Sequence, residues 1–444
     1  MSRRAGAVVA VAAAVLGLAA CTDSTESPVA PRESLVPSVL EPSPPAVPRP
    51  EEPLVVIGHA TVPQLDLTGA QSQRLLAGEV SRWRGFRVLT GRAPARLVRA
   101  VERDAGTLAV VPVSAVGPTV MAARVDGYDP VRDAAGTVDL TVAGDVMLVR
   151  RVPDPAAALA PLAQRLRGAD LTVGNLESTL SRDGEPTQGG DSFGGTPALV
   201  PVLRAAGFDA VSLANNHVGD YGEVALLETV RTLRSSSLQG FGAGRDLASA
   251  GRAAVLTRDG VSFAFLGFNA IGETPQATPE RPGALSVRMP PRTGPLVRSD
   301  LDHVADLVSE YDGLADVVVV LPHWGEQYVH EPWQVQRDVA RRLVAAGADL
   351  VVGGHPHWVQ GVEAVDGVPV VHSLGNFVFD MDYMEQTLEG VLLEATFWGK
   401  ELKAVRFVPY RMDTEAFAPR VARGDAGSAI LDDLWSSSRG PWAS

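Results

Sequence analysis

Continuous runs of Val, Leu, Ala and Phe recur along the chain, at 138–143, 171–173, 210–213, 253–256, 261–266, 317–321, 350–352 and 370–374. They do not alternate with polar residues, which is the pattern of strands covered on both faces. Between them, at 155–166, 197–206, 223–233 and 332–346, apolar residues stand three and four apart and predict helices. The last of these has Pro332 near its start and Gly347 just beyond its end, as helix-boundary chemistry prefers. Segments 168–174 and 347–353 share a Gly-Ala-Asp-Leu grammar, a helix stop, turn and strand used twice. Alternation of strand and helix predicts a layered α/β sandwich. From 388 to 408 the pattern reads as antiparallel strands, and 426–436 predicts a closing helix.

The same pattern divides the chain. Residues 137–412 form the main domain, and 413–444 a C-terminal tail. Ahead of them, 54–135 predicts a small α/β domain, with strands at 54–57 and 107–113 and helices at 71–83 and 94–104. On 67–71, 76–83 and the turn 125–130 it resembles a lobe of the periplasmic phosphate-type binding proteins. A single lobe lacks the second wall of a cleft, so a structural or docking role is the expectation. Residues 22–53 are Pro-, Ser- and Glu-rich and predict a disordered tether, because such a composition buries too little surface to fold.

Composition matters most at the start of the chain. Arg3 and Arg4 precede an apolar run from 5 to 20, too short to span a membrane and fitting for a signal peptide. Segment 18–21, Leu-Ala-Ala-Cys, resembles a bacterial lipobox, so 1–21 predicts a lipoprotein signal with lipidation of Cys21. That would leave the mature protein anchored to the membrane outside the cytoplasm, since each buried acyl methylene contributes ~0.8 kcal/mol. Cys21 is the chain's one cysteine, so no internal disulfide can form. Across 444 residues the net charge is -13, and no basic run follows Arg4. That argues against a nucleic-acid partner, which needs clustered Lys and Arg.

The chemistry gathers where the apolar runs stop. Asp145 follows the first, Asn175 and Glu177 the second, and Asn215-Asn216-His217 the third; His323 ends 317–321, and His355 and His357 follow 350–352. Ligands of α/β sheets collect beyond the carboxyl ends of strands, so these side chains are expected to converge. Imidazole, carboxylate and carboxamide donors without thiolate suit a divalent Mn, Zn or Fe ion. So many candidates exceed the needs of one tetrahedral zinc, and a two-metal centre is the simplest reading, with one or two ions in all.

The segments Gly144-Asp145-Val146-Met147, Gly174-Asn175-Leu176-Glu177, Asn215-Asn216-His217, His323-Trp324-Gly325-Glu326, Gly354-His355-Pro356-His357 and Leu374-Gly375-Asn376-Phe377 occur in this order. On them the chain resembles the CapA-type poly-γ-glutamate capsule biosynthesis family, related to the calcineurin-like metallophosphoesterases. The resemblance implies a four-layer α/β/β/α metallophosphoesterase-like sandwich with the site at one edge. It implies that Asp145 and His357 hold one ion, that Asn216, His323 and His355 hold a second, and that Glu177, with or without Asn175, bridges them. His217 would be the general acid or a donor to a developing oxyanion. The chain departs from the wider superfamily at Met147, where a histidine is usual, and at Asn175, where an aspartate is usual. Fewer anionic ligands predict weaker binding at the first ion.

Trp324, Glu326 and Asn376 are candidates for substrate contact, with Tyr328 beside them; Asn376 also suits a donor under the site, in the turn 375–377. His372 reads as buried structure, and His59, His303 and His330 as surface or core. The function these readings imply is a lipid-anchored, metal-dependent hydrolase-like protein of the cell envelope, cleaving a phosphoester or a polymer amide. The alternative is a non-catalytic scaffold assisting a membrane polymer synthase or exporter. Partners would be the membrane, through Cys21, and an anionic envelope polymer or a synthase complex.

Overall fold

The computed structural model describes residues 52–443. The signal segment with Cys21, and the tether as far as residue 51, lie outside the described residues. The described chain is mixed α/β, and none of its helices is long and apolar enough to cross a membrane.

Two large sheets carry the main body. The first runs Gln239–Phe241, Ala210–Ser212, Leu171–Leu176, Thr137–Val146, Glu389–Trp398, Glu401–Met412 and Pro419–Val421, with Asn376–Val378 paired to the end of Thr137–Val146. Its first four strands are parallel and the rest of the row is antiparallel. The second runs Ala254–Arg258, Val261–Asn269, Val317–His323, Leu350–Val352, Val368–Leu374 and Val359–Val365, its four central strands parallel.

The continuous Val runs follow from this arrangement. In Val317–His323, Val317 and Val319 lie in one core cluster with Val138, Leu140, Val142 and Val173 of the first sheet. Val318 and Val320 lie in another, with Leu301 and Val304 of helix Arg298–Asp312 and Val339 and Leu343 of helix Gln334–Val344. Alternate side chains thus meet different apolar partners, and both sets must be hydrophobic. A third cluster joins Leu176 and Val211 to Leu159, Leu203 and Leu226, from helices Pro155–Arg167, Leu199–Ala206 and Gly222–Arg234.

The N-terminal sheet, ordered Arg82–Trp83, Phe86–Leu89, Thr107–Pro112, Leu54–His59 and Val120–Ala122, abuts the outer hairpin of the first large sheet. Trp398 and Ala404 pack against its core, Trp398 Nε1 donates to the Val131 carbonyl at 2.8 Å, and Lys403 Nζ donates to that of Ser114 at 2.7 Å. The tail is folded as well: helix Gly424–Ser436 buries Ile430 and Leu434, and Trp442 is buried behind it.

Several elements differ from the sequence reading. The helix expected over 71–83 spans only Gly69–Leu76, opened by a Thr68–Gln71 capping box and followed by Gly78 at φ 71°. Asp145 and Asn175 lie inside their strands rather than beyond them, because the two pair with each other and Asp145 also pairs with Asn376. Helix Arg298–Asp312 and strand Val359–Val365 did not stand out in the sequence reading.

Candidate metal centre

Backbone crowding comes first. Asp145 N–H donates to the Gly375 carbonyl at 3.1 Å, and a Cβ on Gly144 would lie 2.0 Å from that same oxygen. Only glycine lets the strand approach the 375–377 turn closely enough to place Asp145 and Asn376 side by side. Gly354 has a similar duty, since a Cβ there would meet Asp145 Oδ1 at 2.6 Å.

Asp145 is fully buried: its Oδ1 accepts from Asn175 Nδ2 at 2.8 Å and its Oδ2 from the His355 backbone N–H at 3.0 Å. The same Asn175 nitrogen donates to Glu177 Oε2 at 3.1 Å. Its orientation follows from Asn215, whose Oδ1 accepts from the His217 and Val218 backbone N–H groups. Asn215 Nδ2 must then reach the Leu176 carbonyl and Asn175 Oδ1, at 2.8 and 2.9 Å. Asn175 therefore turns its nitrogen, not its oxygen, toward the carboxylates. Where the resemblance implied an optional ligand, the arrangement makes Asn175 a donor between Asp145 and Glu177.

Glu177 Oε1 stands 3.8 Å from both His217 Nε2 and His323 Nε2, and it is buried without a hydrogen-bond partner. His323 Nε2 lies 2.9 Å from Asn216 Oδ1, while its Nδ1 lies 3.3 Å from Asn175 Nδ2 and 4.0 Å from Asp145 Oδ1. His355 is buried with neither ring nitrogen partnered, on a backbone at φ 95°. A non-glycine residue there is strained, and such strain clusters at functional sites. His357 Nδ1 is 2.8 Å from Asn376 Oδ1, and Asn376 Nδ2 donates to the Thr387 carbonyl at 3.0 Å, which fixes the amide and leaves His357 Nε2 unprotonated. The rings of His323 and His355 are 5.0 Å apart, and those of His355 and His357 5.8 Å.

His217 completes the group. Its Nδ1 donates to Asp220 Oδ2 at 2.8 Å, and its ring stacks on Phe193 at 3.8 Å. Asp220 is held by the Phe193 N–H at 2.7 Å and Gln188 Nε2 at 2.5 Å.

Electrostatics point the same way. Burial pushes Asp145 up to about 6. Burial, reinforced by the neighbouring Asp145, drives Glu177 well above the usual carboxyl range. Burial holds His323 and His355 well below the ordinary imidazole value, and takes His357 down to about 4. Without a cation this cluster resists charge of either sign. Ligand atoms of Asp145, Glu177 and His323 all lie within 4.8 Å of one another. With Glu177 Oε1 and both His355 nitrogens unpartnered, the donor set fits a divalent metal ion.

Two of the candidates for substrate contact lie away from solvent. Trp324 is wholly buried, its Nε1 donating to the His372 carbonyl at 3.0 Å, so it packs beneath the second sheet rather than lining a groove. Asn376 is also wholly buried and orients His357. Glu326 is half-buried on the loop after His323. Met147 is in the hydrophobic core, its sulfur accepting from the Val149 N–H, so that position adds no ligand. His372 is buried against Glu363 at 2.9 Å. Sequence reasoning passed over Asp220, although its three-residue spacing from His217 was a usable signal. Phe193, far off in sequence, offered none.

Comparison with known proteins agrees with the family resemblance. Over 272 residues the chain is 31% identical to the capsule biosynthesis protein CapA of Bacillus anthracis, covering 59% of this chain and 64% of that one. It is 29% identical over 282 residues to the PGA biosynthesis protein CapA of Bacillus subtilis, covering 62% of this chain and 70% of that one. A probable polyglutamine synthesis accessory protein of Mycobacterium tuberculosis is 30% identical over 262 residues, covering 56% and 67%. The chain thus spans just under two thirds of the Bacillus anthracis protein. Residues 139–381, more than half of the sequence, match the family model described as bacterial capsule synthesis protein PGA_cap, and the chain belongs to that family.

Proposed function

We propose that this protein is an envelope-associated, metal-dependent hydrolase acting in poly-γ-glutamate or similar capsular polymer synthesis. The observation that carries the reading is the buried meeting of Asp145, Glu177, His323 and His355, with Glu177 Oε1 and both His355 nitrogens unpartnered. Asp145, Glu177, His323, His355 and His357 would hold the ion, with Asn216 Oδ1 beside His323. Bound there, a divalent ion supplies Lewis acidity that polarises a carbonyl or phosphoryl oxygen. The chain's own groups do the rest. Asn175 keeps the two carboxylates together, and Asp220 holds the His217 ring so that Nε2 faces Glu177. From there His217 can pass a proton to a leaving nitrogen or oxygen.

The packing of each sheet against the other and against helices supports a four-layer arrangement. The lipobox-like ending at Cys21 supports anchoring as a lipoprotein, and the names of the relatives support an extracytoplasmic setting. The test is elemental analysis of the purified protein, followed by hydrolysis assays on γ-linked glutamate oligomers and phosphoesters. Activity lost in both Asp145→Ala and His217→Ala supports the reading; bound metal with no hydrolysis of either class sinks it. A scaffold reading gains from one observation, that Met147 and Asn175 contribute no ligand oxygen or nitrogen to the cluster. It would prevail if cells carrying His355→Ala made normal polymer with metal-free protein.

A further inference from the structure

A cation stands beside the ligand cluster with no part in it. The Arg150 guanidinium lies over the Phe193 ring at 4.3 Å, and Phe193 stacks on His217. Its charge reaches both Glu177 and His357. Its side chain is 25% exposed, whereas those of the ligands are almost wholly buried.

The guanidinium is held on one edge and open on another. Nε donates to Asp380 Oδ2 at 3.1 Å and Nη2 to Asp380 Oδ1, and Asp380 is itself buried. That fork-to-fork pairing fixes the plane of the group. The backbone of Arg150 is at φ 56°, so its aim is imposed by the surrounding structure. Nη1 is left facing Asp191 Oδ1 at 3.7 Å, beyond hydrogen-bond reach, and the Asp191 side chain is 85% exposed. A solvent-exposed carboxylate of the protein already hovers where an incoming carboxylate would bind.

We propose that Arg150 seats a carboxylate of the substrate, through Nη1, and so makes the centre selective for a chain of free carboxylates such as γ-linked polyglutamate. Arg150 acts here as a specificity-determining residue. The inference rests on the hydrolase reading of the site. Its physical logic is local: a chain of net charge -13 repels a polyanion unless fixed cations face it. A divalent ion held by Asp145 and Glu177 would have its charge balanced by their two carboxylates, which leaves Arg150 to face the polymer. Displacement of Asp191 returns that side chain to water at little cost.

The test uses the full-length protein, with and without Mn²⁺, and three probes: a γ-linked glutamate hexamer, its neutral carboxamide counterpart, and inorganic phosphate. Expected in the wild type is hexamer binding at least about 10-fold tighter than binding of the amide, the order of one charge-assisted contact. Arg150→Gln should erase that preference, Arg150→Lys should restore part of it, and Asp191→Asn should tighten hexamer binding several-fold. All four proteins should still take up Mn²⁺. If Arg150→Gln cannot fold because Asp380 loses its partner, Asp191→Asn decides alone, and no tightening overturns the proposal. Acid-over-amide preference that survives Arg150→Gln overturns it, as does dependence on Arg150 for phosphate only. An Arg150-dependent preference in a protein that takes up none of Mn²⁺, Zn²⁺ and Fe²⁺ keeps this proposal and removes the hydrolase reading.

Discussion

Asn376 Oδ1 accepts from His357 Nδ1 at 2.8 Å, and through that contact a residue outside the donor set decides which nitrogen His357 offers. Partners of this kind tune metal affinity by roughly 10–100-fold. Asn376→Ala should therefore weaken Mn²⁺ binding by that factor, and Asn376→Asp should keep most of it. Calorimetric titration of both variants checks this; equal affinity in Asn376→Ala would show that His357 is not a ligand.

His355 separates metal binding from folding. Its ring nitrogens have no hydrogen-bond partner, so His355→Ala deletes no internal polar contact of the side chain. Wild-type protein at 100-fold excess of metal over Kd should gain about 2.7 kcal/mol of stability. The variant should lose that gain while its metal-free melting temperature stays close to wild type. Melting curves with and without Zn²⁺ or Mn²⁺ decide the matter.

Metal uptake should follow pH through the carboxyls. Burial raises Asp145 to about 6 and holds Glu177 well above the usual carboxyl range, while it holds His323 and His355 well below the imidazole value and so neutral. The expelled protons therefore come from carboxyl groups, and apparent affinity should climb as pH rises through about 6. For the metal-free fold the sign is opposite. Asp145 has a folded pKa above its ordinary 3.8, so its contribution is present below 3.8 and is lost as pH rises through about 6. Titrations in two buffers of different ionisation enthalpy would count the protons; none released means the carboxyls do not bind.

Gly354→Ala tests the geometry without touching a ligand. The new methyl would stand 2.6 Å from Asp145 Oδ1 and 3.4 Å from His323 Nδ1, and should abolish metal uptake. Gly117→Ala, with nothing within 4 Å, is the matched control and should bind metal normally.

Trp324→Ala should cost about 3–5 kcal/mol of stability, the usual loss for a large buried aromatic ring. Urea denaturation measures it. A small loss of stability with a large rise in KM would return Trp324 to the substrate groove.

Much of this site was legible because a strand buried on both faces carries few charged side chains before its last residues. Asp145, Glu177, His323 and His355 announced themselves as breaks in Val-rich runs. What those breaks could not reveal is which atom faces which. Asn175 looks like a ligand in one dimension, and only the chain of hydrogen bonds from the His217 backbone through Asn215 turns its nitrogen inward. Trp324 follows a ligand in sequence and was a candidate for substrate contact, yet it lies one residue past the strand Val317–His323 and packs with Val339 and Leu343 of helix Gln334–Val344. Helix Arg298–Asp312 carries Leu301, Val304, Ala305 and Val308 at helical spacing, a readable pattern obscured by its many charged neighbours and the lack of a strong cap. Arg150 had no local signal, since its partners Asp191, Phe193 and Asp380 are remote in sequence.

The hydrogen bond from the His355 N–H to Asp145 joins residues 210 apart in the chain, and it joins one large sheet to the other. An ion shared by Asp145, Glu177, His323 and His355 would tighten that seam as a clasp does. Opening the molecule would then require release of the ion before the two halves could part. Loading should slow unfolding more than it speeds folding, and chelation should shorten the lifetime of the native state under proteolysis.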